Sequence, residues 1–304
     1  MRVIPPLTIT AAMLTSSTAP EPGSGEAEWS SGTTYGLGDT VILAATHRKY
    51  ESVAVSNLNN PPASDAGTKW IDAGPTNRWA CLDLLRDTAT VFPASPGTVV
   101  ITPGQRIDSL ALVGLVADSV TVTVTVSAVV KYTHTEDLST REVLNWYDYF
   151  YAPFSSKAAV ALFDLPPYTN GVITVTVTRA TGSPKLGGIV MGLSAYLGRT
   201  LHDAESVALN FSSVDRDFAG NVATMIQRRT VPKTVQKVRC SKSQVNKIIA
   251  VRETLNAVPA LWSGLDDSDS GYFEALLILG FYRTFTVNMD QPNEALVTLE
   301  LEEI

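Results

Sequence analysis

Residues 119–134 read SVTVTVTVSAVVKYTH, and this stretch sets the fold class of the whole chain. Valine and threonine alternate without interruption from Val120 to Val126, and residues 174–178 repeat the pattern. Because successive side chains of a β-strand point to opposite faces, the alternation predicts strands with one buried and one exposed face. β-Branched residues also favour strands. We therefore expect a mainly β protein built around a twisted antiparallel β-sandwich.

The neighbouring segments extend this sandwich, and we expect one jelly-roll-like domain over residues 79–198. Several apolar runs in this region have strand character: TVVITPG (98–104), IDSLALVGL (107–115), AAVALFDL (158–165), GVITVTVTRA (171–180) and KLGGIVMGLSAYLG (185–198). The turn sequence PPYTNG at 166–171 closes one of the hairpins.

A dense aromatic segment, REVLNWYDYFYAPFSS, interrupts the sandwich at residues 141–156. It holds more rings than one strand face can bury, so we expect part of it to form an intersubunit surface or a groove. Each buried Å² of apolar surface there would contribute roughly 25 cal/mol. The predicted interface residues are Trp146, Tyr147, Tyr149, Phe150, Tyr151 and Phe154.

Residues 199–304 read as an α+β domain with one helix. The segment 241–264 has apolar residues near helical spacing, and either Ser241 or Ser243 can act as its N-cap. A hairpin turn is predicted at Gly220-Asn221. The segments GYFEALLILGFYRTFTVNM and NEALVTLELEEI predict strands near the end of the chain.

The N-terminal part of the chain divides into two segments. Residues 1–27 predict a short strand at 7–10 followed by a linker rich in proline, glycine and serine. Residues 28–78 predict a small β module with three strands, DTVILAA, RKYESVAVS and KWIDAG. A module of this size needs aromatic bulk for its core. Trp29, Tyr35, Tyr50 and Trp70 can supply that bulk or, alternatively, a platform on which sugar rings stack.

The net charge argues against a nucleic-acid partner, and the hydropathy pattern argues against a membrane span. The net charge of -7 argues against a nucleic-acid-binding protein, because neutralising phosphates requires a surplus of lysine and arginine. One basic stretch is interpreted as a solvated surface; it contains Arg228, Arg229, Lys233, Lys237 and Arg239. No apolar run reaches the roughly 18 residues of a membrane span, and residues 1–17 do not read as a signal peptide.

The sequence carries no recognisable catalytic or metal-binding motif, so we expect neither an enzyme nor a cofactor. Cys81 and Cys240 are far apart and are expected to be buried thiols. No phosphate-binding glycine loop or nucleophile elbow is present. Two aspartate groups are interpreted as solvated turns, because the first lacks the closing glutamate of a calcium loop: Asp266, Asp267 and Asp269, and Asp215 with Asp217. The histidines, which are His47, His134 and His202, lie in different regions.

The module resembles the chitin-binding type of carbohydrate-binding module, families 5 and 12. The resemblance rests on these positions in this order: Trp29, Tyr35, Gly38-Asp39, Val41, Tyr50-Glu51, Pro61-Pro62 and Trp70. It implies a small β fold in which Trp29, Tyr35, Tyr50 and Trp70 are the candidate sugar-binding residues. The adjacent exposed rings with which family members grip chitin are missing from SVAVSNLNNPP at 52–62. The resemblance therefore supports the fold better than it supports sugar binding.

A broader resemblance covers nearly the whole chain. It is carried by several segments: GPTNRWACLDLLRDTATV (74–91), NWYDYFYAPF (145–154), LFDLPPYT (162–169), VPALWSGLDD (258–267), GYFEALLILGFYRTF (271–285) and VTLELEEI (297–304). These segments resemble a family of tail proteins from long-tailed bacteriophages. The resemblance implies a virion protein of the distal tail, synthesised in the cytoplasm of the bacterial host, with residues 199–304 acting in tail assembly. The partners that the resemblance implies are further copies of the chain, other baseplate proteins and tail fibres. It implies no insertion into a membrane.

Two functions fit these expectations. The first is a structural component of the phage baseplate or tail tip that presents a sugar-binding-like module outward and can contact host surface glycans. The alternative is a receptor-binding, lectin-like tail protein that recognises host polysaccharide. A polysaccharide-degrading enzyme is disfavoured, because the sequence offers no carboxylate pair beyond aspartates in loops.

Overall fold

The computed structural model describes residues 1–140, 144–152, 155–266, 271–289 and 291–304. These residues are mainly β and form several antiparallel sheets, so the predicted fold class is confirmed. The strands, numbered in chain order, are β1 (Arg2–Ile4), β2 (Leu14–Ser17), β3 (Thr34–Tyr35), β4 (Thr40–Leu43), β5 (Arg48–Ser52), β6 (Asn57–Leu58), β7 (Trp70–Pro75), β8 (Thr90–Val91), β9 (Gly97–Ile101), β10 (Ser109–Val113), β11 (Ser119–Val126), β12 (Val129–Asp137), β13 (Ser139–Thr140), β14 (Ser155–Ser156), β15 (Ala159–Leu162), β16 (Val172–Thr178), β17 (Lys185–Leu186), β18 (Gly188–Gly192), β19 (Ala195–Tyr196), β20 (Arg199–Thr200), β21 (Glu205–Asn210), β22 (Ser213–Arg216), β23 (Val222–Ile226), β24 (Thr230–Ser241), β25 (Ala260–Ser263), β26 (Leu277–Asn288) and β27 (Glu294–Glu303). The α-helices of the described residues are α1 (Trp146–Tyr151) and α2 (Val245–Thr254).

The valine–threonine strands form the centre of a five-stranded sheet with the order β12-β11-β16-β9-β2. The register places Val122 opposite Val175 and Thr123 opposite Thr174, so each face carries one residue type across both strands. The valines are almost fully buried, whereas the threonines are half-buried. The predicted one-sided burial of these strands is therefore confirmed.

A three-stranded sheet, in the order β15-β10-β18, packs against the valine face. Leu110 and Leu112 of β10 contribute to the core that it shares with the five-stranded sheet. Ala111 and Val113 point the other way, into a second core that includes Leu261. Every residue of β10 is buried. The three-stranded sheet is thus a middle layer that is covered on both faces.

The third layer is an eight-stranded sheet with the order β19-β1-β25-β26-β27-β24-β20, in which β21 also pairs with β24. Leu261 and Leu279 face the middle layer. The opposite face carries Trp262, which is 0% exposed, and packs against Ile248 of α2. The layers therefore stack as five-stranded sheet, three-stranded sheet, eight-stranded sheet and helix.

The predicted C-terminal helix is present but shorter than expected. It covers Val245–Thr254 and follows a 3-10 turn whose N-cap, Ser241, forms a capping box with Gln244. The prediction of helix to residue 264 is wrong at its end, because Ala260–Ser263 is a fully buried strand of the eight-stranded sheet. No helix of the described residues is long and apolar enough to span a membrane.

The N-terminal 27 residues contribute a strand to each of the two large sheets. The predicted strand at 7–10 is wrong, and the first strand is Arg2–Ile4, which lies between β19 and β25. Pro5 and Pro6 follow it directly, and proline cannot donate a hydrogen bond to a neighbouring strand. The strand β2 then pairs with β9 at the edge of the five-stranded sheet.

Gly280 lies where β26 pairs with β27, and the fold is expected to require a glycine at this position. A Cβ atom at this position would lie 1.9 Å from the carbonyl oxygen of Glu302 on the paired strand. We expect Gly280→Ala to lower the free energy of unfolding by about 3 kcal/mol or more, because backbone must move to relieve the overlap. Denaturant unfolding measures this loss. Gly271→Ala is the matched control, since its Cβ meets nothing within 4 Å; equal stability of the two variants would contradict the packing described.

Candidate functional site

The module at residues 28–78 folds around the rings that the sequence proposed as a sugar platform. Its three predicted strands are observed as β4, β5 and β7, which form one sheet. Tyr35 and Trp70 pack edge to face with their ring centroids 5.2 Å apart. Trp70 is 2% exposed and donates its indole N–H to the carbonyl of Asn60 at 2.8 Å. The Tyr35 hydroxyl accepts the backbone N–H of Ser30 at 2.8 Å.

The predicted stacking role of Tyr35 and Trp70 is wrong, because both rings lie in the core of the module. A pyranose can stack only on a ring face that is open to solvent. Trp29 and Tyr50 pack against the same core and are half-buried. The buried indole N–H of Trp29 has no hydrogen-bond partner among the described residues. Of the four predicted sugar-binding residues, two are therefore structural and two remain partly accessible.

Asp65 organises the turn that leads into Trp70. Its carboxylate accepts hydrogen bonds from the Thr68 hydroxyl and from the backbone N–H groups of Lys69, Trp70 and Gly67. These donors hold the pKa of Asp65 well below its ordinary value. The ionised carboxylate is therefore the form that stabilises the turn.

Asp65→Asn is expected to lower the melting temperature of the module at neutral pH. Because the folded-state pKa is lowered, the stabilisation by Asp65 is complete above the unfolded pKa of about 4 and is lost as the pH falls towards the folded value. The difference between wild type and variant should therefore shrink below about pH 4. Tryptophan fluorescence during thermal melting at several pH values measures it. A difference that is constant with pH would contradict this role.

A polar joint ties the module to the β-sandwich. Nδ1 of His47 lies 3.0 Å from the carboxylate of Glu21, which also accepts the Thr76 hydroxyl at 2.7 Å. The imidazole stacks on Trp79 with centroids 4.2 Å apart. The Glu21 side chain is 7% exposed, and these two partners contact its carboxyl oxygens. Sequence inspection missed this joint, because its members come from three separate segments of the chain.

The described residues contain no group of three or more His, Cys, Asp or Glu side chains that could hold a metal ion. Asp217 caps the hairpin turn through Asn221, and Asp266 pairs with Arg2. Asp267 and Asp269 lie outside the described residues. His134 contacts Glu136.

Both cysteines are free and buried, as predicted. Burial raises the pKa of the Cys81 thiol to about 11. Burial likewise raises the pKa of Cys240. The thiols are therefore in their unreactive protonated form at neutral pH.

The basic stretch is part of a sheet surface on which charges alternate in sign. Four of its five members form ion pairs: Arg229 with Glu303, Lys233 with Glu300, Lys237 with Asp203 and Arg239 with Glu294. Since these cations already have carboxylate partners, the stretch offers little positive potential to a phosphate backbone.

The densest group of exposed rings among the described residues lies on α1, and we call α1 with its flanking residues the aromatic helix (residues 144–152). It lies in the hairpin between β13 and β14, whose residues Ser139 and Ser156 pair. No residue of the helix is buried. Five predicted interface rings are exposed by these fractions: Trp146 79%, Tyr147 70%, Tyr149 54%, Phe150 67% and Tyr151 71%. Phe154, the sixth, lies outside the described residues.

The aromatic helix has a defined backbone despite its exposure. The side chain of Asn145 caps its N-terminus by accepting the N–H of Asp148 at 2.9 Å, and the Asp148 carboxylate accepts the N–H of Leu144 at 3.2 Å. Several of the rings contact one another, as in the pair Tyr147 and Tyr151 with centroids 4.9 Å apart. Since soluble proteins rarely expose contiguous apolar patches of this kind, the helix is the best candidate for a binding surface.

Comparison of the chain with protein-family models, with curated proteins and with solved structures found no match. The aromatic helix presents its rings to solvent, whereas the module buries most of its own.

Proposed function

We propose that the chain is a structural subunit of the distal tail of a bacteriophage, in the baseplate or tail tip. In this function the aromatic helix binds a neighbouring subunit. The observation that carries the proposal is the exposure of five rings, each by more than half, on a capped helix. Aromatic residues are enriched in the centres of protein interfaces, where their large apolar faces are buried.

The energetics of the aromatic helix support a role in assembly. An aromatic side chain buries about 150–250 Å² when fully covered. At about 25 cal/mol per Å², covering the exposed parts of five rings would contribute on the order of 15 kcal/mol before the costs of association. Those costs are estimated at roughly 4–15 kcal/mol. The helix alone can therefore supply most of the free energy that a stable interface needs.

The architecture of the body supports the same function. Stacked antiparallel sheets give a rigid scaffold. The hairpin that carries the aromatic helix extends from this scaffold. The partners under this proposal are further copies of the chain, other baseplate proteins and tail fibres. The acidic balance of -7 agrees with partners other than nucleic acid.

Incorporation into virions tests the proposal. A phage that encodes this chain would carry Trp146→Ser, Tyr147→Ser and Phe150→Ser, and a matched phage would carry Tyr272→Ser, which removes an exposed ring elsewhere. We expect the triple variant to be depleted from purified virions at least tenfold, as measured by quantitative immunoblotting, and Tyr272→Ser to be incorporated normally. Normal incorporation of the triple variant would contradict the proposal.

A second candidate function, receptor binding by the module, is supported by the partly accessible rings of Trp29 and Tyr50. A glycan array of host surface polysaccharides tests it. Binding that is lost in Tyr50→Ala, while the melting temperature of the module is unchanged, would favour this function. An array on which the wild-type protein binds no glycan would exclude it.

A further inference from the structure

A second exposed element protrudes from the eight-stranded sheet, and we call it the arm (residues 211–229). The strands β22 and β23 pair with each other and with no other strand of the described residues. Every residue from Ser213 to Arg229 is exposed. A two-stranded hairpin is marginally stable in water by itself. The arm is therefore an element that gains stability when a partner covers it.

One face of the arm is apolar apart from a single cation. The register places Val214 opposite Met225 and Arg216 opposite Val222, so these four side chains share a face. Phe218 at the tip is fully exposed, and Met225 is 66% exposed. Exposed apolar side chains at this density indicate a contact surface rather than a solvated loop.

One cleft is lined by chain segments that lead into both the arm and the aromatic helix. This cleft has a volume of about 300 Å³, and its walls include Ala158 from the base of the aromatic hairpin and Ser206 and Pro232 from the base strands of the arm. The carboxylate of Glu274 fixes the aromatic side by accepting the backbone N–H groups of Ala158 and Ala159. The segments that lead into both protrusions therefore line the same cleft.

The two surfaces are complementary in chemistry. The aromatic helix offers the exposed ring faces of Trp146, Tyr147 and Phe150, and it contains no basic residue. The arm offers Arg216 and Arg228, and no carboxylate partner of Arg228 is found among the described residues. Arginine is attracted to aromatic ring faces, and a methionine sulfur such as that of Met225 also packs well on them. Each surface is thus suited to cover the other.

We infer that the arm of one copy packs across the aromatic helix of a second copy, and that the contact is reciprocal. A two-fold axis beside the cleft would bring each arm to the partner's helix, because segments that lead into both elements line this cleft. This arrangement covers two apolar surfaces of each copy in one interface. It rests on the proposed function and assigns the partner of the aromatic helix.

Site-specific cross-linking tests the contact. Ala152 at the C-terminus of the aromatic helix and Ala223 on the arm can each be replaced by cysteine without removing a ring or an arm side chain that the contact uses. The native thiols are buried, and the raised pKa of Cys81 keeps it unreactive at neutral pH. The A152C and A223C chains, with different tags, are coexpressed and treated with a short bismaleimide. Ala45→Cys on the exposed surface of the module replaces A223C in the control.

We expect cross-linked dimers from A152C with A223C at least tenfold above those from A152C with A45C, and few from A152C alone. Cross-linking of A152C to itself would overturn the inference in favour of contact between two aromatic helices. The rings could hold oligomers together while A152C and A223C fail to cross-link. That result would overturn the inference in favour of another surface as the partner of the aromatic helix. A wild-type protein that is monomeric at every concentration would overturn the inference and the self-association in the proposed function together. Loss of the triple ring variant from virions would then still support binding to a different tail protein.

Discussion

Trp146→Ser, Tyr147→Ser and Phe150→Ser, introduced together, are expected to abolish the proposed self-association of the chain without unfolding it. The three rings are exposed by 79%, 70% and 67% in the single chain, so their removal costs the fold little. Surface substitutions of this kind change the free energy of unfolding by about 0.5 kcal/mol or less. Their removal from an interface, however, takes away much of its apolar area. Light scattering coupled to size-exclusion chromatography measures the mass, and thermal melting measures the fold.

The control for this experiment is Tyr272→Ser, which removes a ring that is 75% exposed and lies outside the aromatic helix. It should keep the wild-type mass at the concentration at which the triple variant is monomeric. We expect the dissociation constant of the triple variant to rise by at least a hundredfold. A triple variant that retains the wild-type mass would show that the rings do not hold the copies together.

Trp70→Ala is expected to unfold the module while the stacked sheets remain folded. Trp70 is 2% exposed, packs on Tyr35 and donates to Asn60. Large-to-small substitutions of a buried tryptophan cost about 3–5 kcal/mol. The core cluster of the module is small, with Tyr35, Val41 and Trp70 as its buried members, so this loss exceeds what the module can tolerate.

Limited proteolysis followed by mass spectrometry measures the unfolding of the module. Cleavage between residues 28 and 78 should become at least tenfold faster in Trp70→Ala, while the fragment that starts near residue 79 stays resistant. Val55→Ala, at a position that is 85% exposed in the same module, should be cleaved at the wild-type rate. If the module of Trp70→Ala resisted protease as the wild type does, Trp70 would not be the centre of its core.

Period-two patterns made the strands with one buried face predictable. The alternation at residues 120–126 predicts which residues form the buried face of β11. The alternation at residues 174–178 predicts the buried face of β16. The predicted hairpin turn at Gly220-Asn221 is confirmed, since Gly220 has a φ of 84° and donates its backbone N–H to Asp217. Local signals suffice in these cases because adjacent strands and turns are determined by neighbouring residues.

Long-range pairing was not predictable in the same way. The first strand has three residues, and its position between β19 and β25 depends on residues almost 200 or more positions away. Ala260–Ser263 could be taken for the end of a helix, because a short apolar run that is buried on both faces has no distinguishing period.

The exposure of a ring was also difficult to predict. Trp70 and Trp146 are both tryptophans in aromatic-rich segments, yet one is 2% and the other 79% exposed. For the aromatic helix, the number of rings within a few residues was the useful signal, since a six-residue helix cannot bury rings on every side. For the module, the small size of the unit favoured the core role of its rings, and the structure agrees with that interpretation.

Immunogold labelling of intact virions tests the central proposal most directly. Antibodies against the module at residues 28–78, applied to a phage that encodes this chain, should place gold particles at the distal end of the tail in electron micrographs. Virions that lack the chain provide the background. Gold confined to the distal tail, well above that background, is the predicted result; labelling of the capsid, or virions that carry none of the chain, would contradict the account.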